Sequence, residues 1–249
     1  DRAVPLAGRT VAITGAGRGL GRALALLMAE RGAVPILIGR DQVALEEVAA
    51  AIARNGAAAP RRFLADGAKP DEIEHACIAI RAAYPRLDIL INNAAGWVPG
   101  RLEEVAPAAI AENVAATVAG TMLMTKFLLP ALRASEGADI VTLVSISGTP
   151  AAPFLSRNPV YDAAKHAQHG FVESLRRELK PDRIRVIAVY PPDFQGTQPD
   201  DETWKTAEGE RESGACMTTR DVAETILFAL TRPRIASLAA VILDNNRPD

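Results

Sequence analysis

Val11-Ala12-Ile13-Thr14-Gly15-Ala16-Gly17-Arg18-Gly19-Leu20-Gly21 runs from an apolar, β-branched segment into a cluster of glycines. A helix-period stretch, Ala23 to Arg31, follows directly, with Gly32 placed to end it. Glycines at such a junction allow a tight turn, close approach of a pyrophosphate to the backbone, and close packing of helix on sheet. The helix N-terminus adds amide donors and a partial positive charge. A glycine-rich turn alone is weak evidence, but its position between a strand and a helix favours a dinucleotide site. The spacing, Gly15-x-x-x-Gly19-x-Gly21, is not GxGxxG, and no Lys-Ser/Thr follows, so it is not a P-loop.

Outward from this turn the same alternation repeats. Strands are expected at Pro35–Gly39, Arg62–Ala65, Leu87–Ile91, Ile140–Ser145, Ile184–Tyr190 and Leu238–Leu243. Helices are expected after Asp41, which reads as an N-cap, and at Asp71–Ala83, Ala108–Leu132, Val160–Leu179 and Arg220–Leu230. The long helix is expected to bend or end near Pro130. Strands that are apolar on both faces and alternate with helices imply a mostly parallel sheet covered on both sides. Right-handed crossovers then give an α/β, doubly wound Rossmann fold with seven strands. No composition break divides the chain, so residues 1–249 read as one domain with a substrate loop at about 191–218.

Composition narrows the function. The 249 residues are 49% hydrophobic and carry 28 Lys plus Arg against 30 Asp plus Glu, a net charge of −2. That balance argues against a nucleic-acid binder, which needs a basic face. Cys77 and Cys216 lie in no CxxC pair or Cys/His cluster, so neither zinc nor a disulfide framework is implied. No run of 18 apolar residues and no signal-peptide profile occur, so a soluble, cytoplasmic protein without membrane partners is expected.

The end of the second strand bears on cofactor choice. An NAD site places an acidic residue there to bind the ribose 2′-hydroxyl. This chain has Ile38-Gly39-Arg40-Asp41 instead. Arg40 can meet a 2′-phosphate with planar donors, and Arg18 can add a second cation, which points to NADP(H). The bland alternative is that Arg40 is a solvated strand end and Asp41 only caps the next helix.

With the remaining constellations the chain resembles the short-chain dehydrogenase/reductase family over nearly its whole length. Thr14 to Gly21 matches the TGxxxGxG turn, and Asp66 matches the aspartate that touches adenine. Asn92-Asn93-Ala94-Ala95 matches NNAG. Asn113 matches the asparagine that holds a proton-relay water. Ser145, in Ser145-Ile146-Ser147-Gly148, matches the active-site serine. Tyr161-Asp162-Ala163-Ala164-Lys165 is YxxxK, and Tyr190-Pro191-Pro192 falls where the family has PG. The resemblance implies an oxidoreductase with Ser145, Tyr161, Lys165 and Asn113 as catalytic residues. It implies NADP(H) contacts from Thr14, Gly15, Gly17, Arg18, Gly19, Leu20, Gly21, Arg40, Asp66, Gly67, Asn93, Ala94, Ala95, Tyr161, Lys165, Pro191 and Phe194. It also implies a small carbonyl or alcohol substrate and a homodimer or homotetramer.

The residue types suit that chemistry. Tyr161 and Lys165, at i and i+4, share a helix face. A lysine cation nearby is expected to lower the tyrosine pKa from its usual ~10. Ser147 competes with Ser145, because alternation along a strand would put both on one face. His166 and His169 read as surface or interface residues, and His75 as exposed. Trp97, Ser147, Phe154, Leu155, Phe194 and Trp204 are the expected substrate contacts, mostly an apolar wall, and residues 193–217 the expected lid. The sequence departs from the family where the NNAG glycine is delayed to Gly96, where the Ser145–Tyr161 gap is longer, and where Pro192 replaces glycine. Competing readings are a non-catalytic NADP-binding regulator on the same fold and an NAD-preferring alcohol dehydrogenase. A sugar-nucleotide epimerase would need more chain after Tyr190.

Overall fold

Alternation along the first strand sets both faces of the sheet. Val11 and Ile13 enter one apolar cluster and Ala12 the other. The computed structural model describes residues 5–149, 158–202, 204 and 217–245. Its strands are β1 (Thr10–Thr14), β2 (Val34–Gly39), β3 (Arg61–Leu64), β4 (Ile89–Asn92), β5 (Asp139–Leu143), β6 (Arg185–Tyr190) and β7 (Ala240–Ile242). They form one seven-stranded sheet in the order β3-β2-β1-β4-β5-β6-β7, and every pairing is parallel. Helices α1 (Gly19–Glu30), α2 (Gln42–Arg54) and α7 (Thr219–Leu230) cover one face through Leu24, Val48 and Ile226. Helices α3 (Pro70–Ala83), α5 (Gly120–Arg133) and α6 (Pro159–Glu178) cover the other through Ile80, Leu128 and Val172. Each such fully buried side chain contributes about 1.5–3 kcal/mol of transfer free energy. This is the doubly wound Rossmann arrangement, parallel throughout rather than mostly so.

The strand order reverses between β1 and β4, and the crevice at their carboxyl ends is where such sheets take ligands. The amino-terminal edge is closed differently. There fully buried Asp139 accepts from Arg9, Arg185 and Arg234 at 2.9, 2.7 and 2.6 Å. This network fixes β5 at the end of the sheet away from the crevice.

The long helical region departs most from its expected form. It comprises α4 (Pro107–Val114), a π-helical turn at Ala115–Ala119, and α5. Pro130 lies inside α5 and does not end it. The flanking Leu128, Ala131 and Leu132 are buried on the sheet and hold the turn despite the missing N–H donor. By length and a mean hydropathy of 1.4, Pro107–Arg133 could cross a membrane. Met124, Leu128 and Leu132, however, use their apolar surface in the core.

Candidate active site

The glycine turn is built largely from its own scaffold. Gly19 has φ +53°, where L side chains are strained, and a Cβ on Gly21 would stand 2.2 Å from the Gly15 carbonyl oxygen. Both glycines are therefore required by backbone shape. Thr14 is turned inward. Its Oγ1 accepts from the amides of Asn93 and Ala94, each at 3.0 Å, and so ties β1 to the exit of β4. Asn93 Nδ2 donates to the Thr14 carbonyl at 2.9 Å. The sequence reading placed Thr14 and Asn93 on the cofactor; the structure uses both side chains to hold the turn in shape. Leu20 is buried under it, Gly15 and Gly17 are half-buried, and Arg18 and Ala95 are exposed. The resulting backbone cradle at the N-terminus of α1 fits a pyrophosphate.

Beyond it lies a groove of about 490 Å³ lined by Arg40, Leu64, Ala65, Asp66, Lys69, Glu72 and His75. The Arg40 side chain is 62% exposed and makes a 3.5 Å pair with Glu112 that is equally exposed. Such a pair is worth little and leaves the guanidinium available to a phosphate. Asp66 Oδ1 accepts from the Ala68 amide at 3.0 Å, which shapes the loop carrying Gly67. Asp41 does cap α2, accepting from Ala44.

The second half of the site gathers past the end of β5. The strand stops at Leu143, and Ser145 caps a short 3-10 turn, Ile146–Gly148. Strand alternation therefore does not relate Ser145 to Ser147. Ser147 instead supports its neighbour, its amide donating to Ser145 Oγ at 3.2 Å. Ser145 has φ 151° and ψ 156°, a region used almost only by glycine that costs about 1–3 kcal/mol. Tyr161 sits in the first turn of α6. Asn158 caps that turn by accepting from the Tyr161 amide at 3.0 Å and donates to the Val98 carbonyl. The same asparagine thus fixes the loop after β4. That loop places Trp97, 62% exposed, edge-on against the Tyr161 ring with centroids 4.9 Å apart.

The electrostatics run against one expectation. Burial raises the Tyr161 pKa above its ordinary value of 10; the neighbouring Ser145 hydroxyl opposes this, and the Asp193 and Asp162 charges reinforce it. In the free protein burial outweighs whatever the Lys165 charge supplies. The lysine is 2% exposed, its Nζ donates to the Leu143 carbonyl at 2.8 Å and to Gln168 Oε1 at 2.9 Å, and burial pushes its pKa down to about 7. An ammonium so placed lies 5.6 Å from the Tyr161 ring centroid and is committed to two neutral acceptors. Asn113 is 3% exposed, and neither atom of its amide has a partner among the described residues. A buried amide left unmet costs about 1–3 kcal/mol. Asn113 Nδ2 also stands 2.7 Å from where a Cβ on Gly96 would be, which explains the delayed glycine.

Pro191 and Pro192 are buried, and the Pro191 carbonyl accepts from the Ile146 amide at 3.1 Å. Two expected wall residues are elsewhere. Trp204 is 8% exposed within the cluster beneath α1 and α7, and Phe194 packs on the same cluster. The expected lid is also tied down where it is described. Gln195 bonds to Met217 and Thr219, Gln198 Nε2 donates to the Gly19 carbonyl at 3.1 Å, and Arg22 pairs with Asp200 at 2.6 Å. Phe154 and Leu155 lie outside the described residues. His166 bonds its own helix at the Asp162 carbonyl, and His169 is held by the Tyr190 hydroxyl at 2.8 Å rather than standing free at the surface. The sequence reading missed Gln168. The available signal was a polar residue on the buried stripe of α6, three positions after Lys165.

A Rossmann sheet with a serine past the end of β5 and a tyrosine and lysine beside it on α6 defines a class of oxidoreductase. A model of the short chain dehydrogenase family matches residues 9–208, and the chain belongs to that family. An uncharacterized oxidoreductase of Staphylococcus saprophyticus is 26% identical over 230 residues, 92% of this chain and 94% of that protein. Dehydrogenase/reductase SDR family member 7B of Bos taurus is 33% identical over 186 residues, 73% of this chain and 56% of that protein. A metagenomic short-chain oxidoreductase solved in complex with NADP has a TM-score of 0.80 at 25% identity, with 99% of each chain covered. L-Sorbose reductase from Gluconobacter frateurii, complexed with NADPH and L-sorbose, has a TM-score of 0.82 at 22% identity, with 96% of each chain covered. The last likeness is one of fold.

Proposed function

We propose that the protein is an NADP(H)-dependent reductase of ketones, with Tyr161 as the acid that protonates the carbonyl oxygen. The observation that carries this reading is the meeting of Ser145, past the end of β5, with Tyr161 and Lys165 on one face of α6. A neutral phenol is the form that can donate a proton to a carbonyl oxygen in the reductive direction. When bound, the nicotinamide supplies the hydride. Ser145 holds the substrate oxygen next to the Tyr161 hydroxyl, and Asn113 holds a water that returns the proton. Arg40 and Arg18 bind the 2′-phosphate, and the NADP-bound relative at 25% identity is consistent with that assignment. The face of Trp97 forms an apolar wall, so the substrate carries a hydrophobic body beside its carbonyl. Residues 195–202 act as a fixed wall. Apolar Val114 and Met122, 44% and 37% exposed, supply part of the seam of a homodimer or homotetramer, which light scattering at micromolar concentration tests.

The experiment is NADPH oxidation followed by absorbance across a panel of aryl and alkyl ketones. Turnover of apolar ketones, faster with NADPH than with NADH, supports the reading. Tight NADPH binding with no oxidation across the panel contradicts it.

A further inference from the structure

Lys165 is a buried cation whose described polar partners are two neutral acceptors, and one of them is a side chain that is itself locked. Gln168 is 1% exposed. Its Nε2 donates to the Thr117 carbonyl and to Thr121 Oγ1, both at 2.9 Å. The Thr121 hydroxyl spends its own proton on the Thr117 carbonyl at 2.8 Å, so toward Gln168 it can only accept. The amide therefore has one orientation, and its oxygen must face Lys165 Nζ at 2.9 Å. Thr117 belongs to the π turn that follows α4, and its Oγ1 accepts from the Gly96 amide at 3.0 Å. One chain of bonds thus runs from the loop after β4, through the π turn, to Gln168, Lys165 and the end of β5.

We infer that Gln168 is a positioning residue for the reductase reaction, holding the Lys165 ammonium in place under Tyr161 from the π turn. The inference rests on the functional reading above but makes a claim about the lysine that is measurable without turnover. A buried ammonium needs acceptors to remain charged. Removing the Gln168 oxygen leaves the Leu143 carbonyl alone, so the charged form becomes less favourable. Among the described residues the ionisable neighbours are few. Tyr161 and Asp162 lie on the same helix, Asp193 acts on Tyr161 from beyond β6, and His169 one turn on is held by Tyr190. The π turn, α5 and the end of β5 present Thr117, Thr121, Leu143 and Ser145, none of which titrates near neutral pH.

Two variants pull in opposite directions. Gln168→Met keeps the length and removes the acceptor; Gln168→Glu keeps an acceptor and adds a negative charge. The readout is the titration of lysine ¹³Cε signals in the free protein. The sequence has five lysines, and the Lys165 signal is assigned by its loss in Lys165→Ala. Ordinary lysines titrate near ~10, which separates them from a signal near neutral pH. Gln168→Met is expected to lower the Lys165 midpoint by about one pH unit or more, and Gln168→Glu to raise it above that of the wild type. In turnover, Gln168→Met is expected to reduce kcat about 10-fold or more with little change in KM for the ketone, and to have no further effect in a Lys165→Ala background. Unchanged lysine midpoints in both folded variants would overturn the proposal and leave Gln168 as helix packing. So would an undiminished Gln168→Met effect in Lys165→Ala. Absence of ketone turnover in the wild type would overturn the functional reading instead, and the titration would still decide the role of Gln168.

Discussion

The two halves of the crevice are built to different rules. Around the glycine turn the side chains that shape it are matched within the scaffold. Thr14 and Asn93 bond across β1 and β4, and Gln198 and Arg22 strap the following segment onto α1. Around β5 and α6 the molecule carries unfavourable features together. Ser145 is in a glycine-like backbone conformation, the Asn113 amide is unmatched among the described residues, Lys165 is a buried cation, and Tyr161 is held above its usual pKa. Binding asks for a rigid frame that holds its open backbone donors in place before the ligand arrives. Proton transfer asks for groups poised away from their resting states, and those cost stability.

Gly21→Ala should break the first half most severely. With Gly15 oxygen in the way it should cost at least about 3 kcal/mol in thermal unfolding and abolish NADPH binding. Ser145→Gly should show the opposite pattern. Relief of strain offsets the entropy of glycine, giving no loss of stability and a gain of up to about 1 kcal/mol, while turnover falls about 100-fold or more. Ser147→Ala should lose less than Ser145→Ala; the reverse order would mean that Ser147 holds the substrate. Arg40→Asp should weaken NADPH about 10- to 100-fold and spare NADH, measured by fluorescence titration.

Lys165→Met tests the second half through pH. The lysine's folded pKa, near 7, lies below its unfolded value of 10.5, so the unfolded chain binds more protons between them. The penalty on the native state is full below pH 7 and fades as pH climbs toward 10.5. Relative to Lys165→Met, the wild type should therefore gain about 1.4 kcal/mol of stability per pH unit across that window in urea unfolding. Arg22→Ala should have the smallest effect. It exposes the strap at 195–202 to hydrogen exchange at a cost of about 1 kcal/mol or less, because Asp200 is largely solvated.

The sequence made the strands, their order along the chain and both ends of the site legible, because these depend on local periodicity and on spacing within single elements. The 3.6-residue period put Tyr161 and Lys165 on one face, and the structure keeps them there. What it could not supply was where a long side chain ends. Nothing local says that the Lys165 ammonium turns to the Leu143 carbonyl and Gln168, 22 residues back and one helical turn on. Nor does a local pattern show how far Tyr161 is buried, which is what raises its pKa in the free protein. Trp204 was expected in the pocket because it follows a strand end; its burial under α1 and α7 depends on a fold-back visible only in three dimensions. The π turn likewise reads as uninterrupted helix, since Ala115–Ala119 contains no glycine or proline.

Tyr161→Phe separates the two halves in one sample. It removes a single hydroxyl from the strained half and leaves the glycine turn untouched. NADPH affinity by fluorescence titration and ketone reduction by absorbance should be measured on the same preparation. The account predicts a dissociation constant within about 3-fold of wild type and a rate lower by about 10²–10⁴-fold. A variant that reduces the ketone at near wild-type rate would contradict Tyr161 as the acid, and with it the division of labour between the two halves.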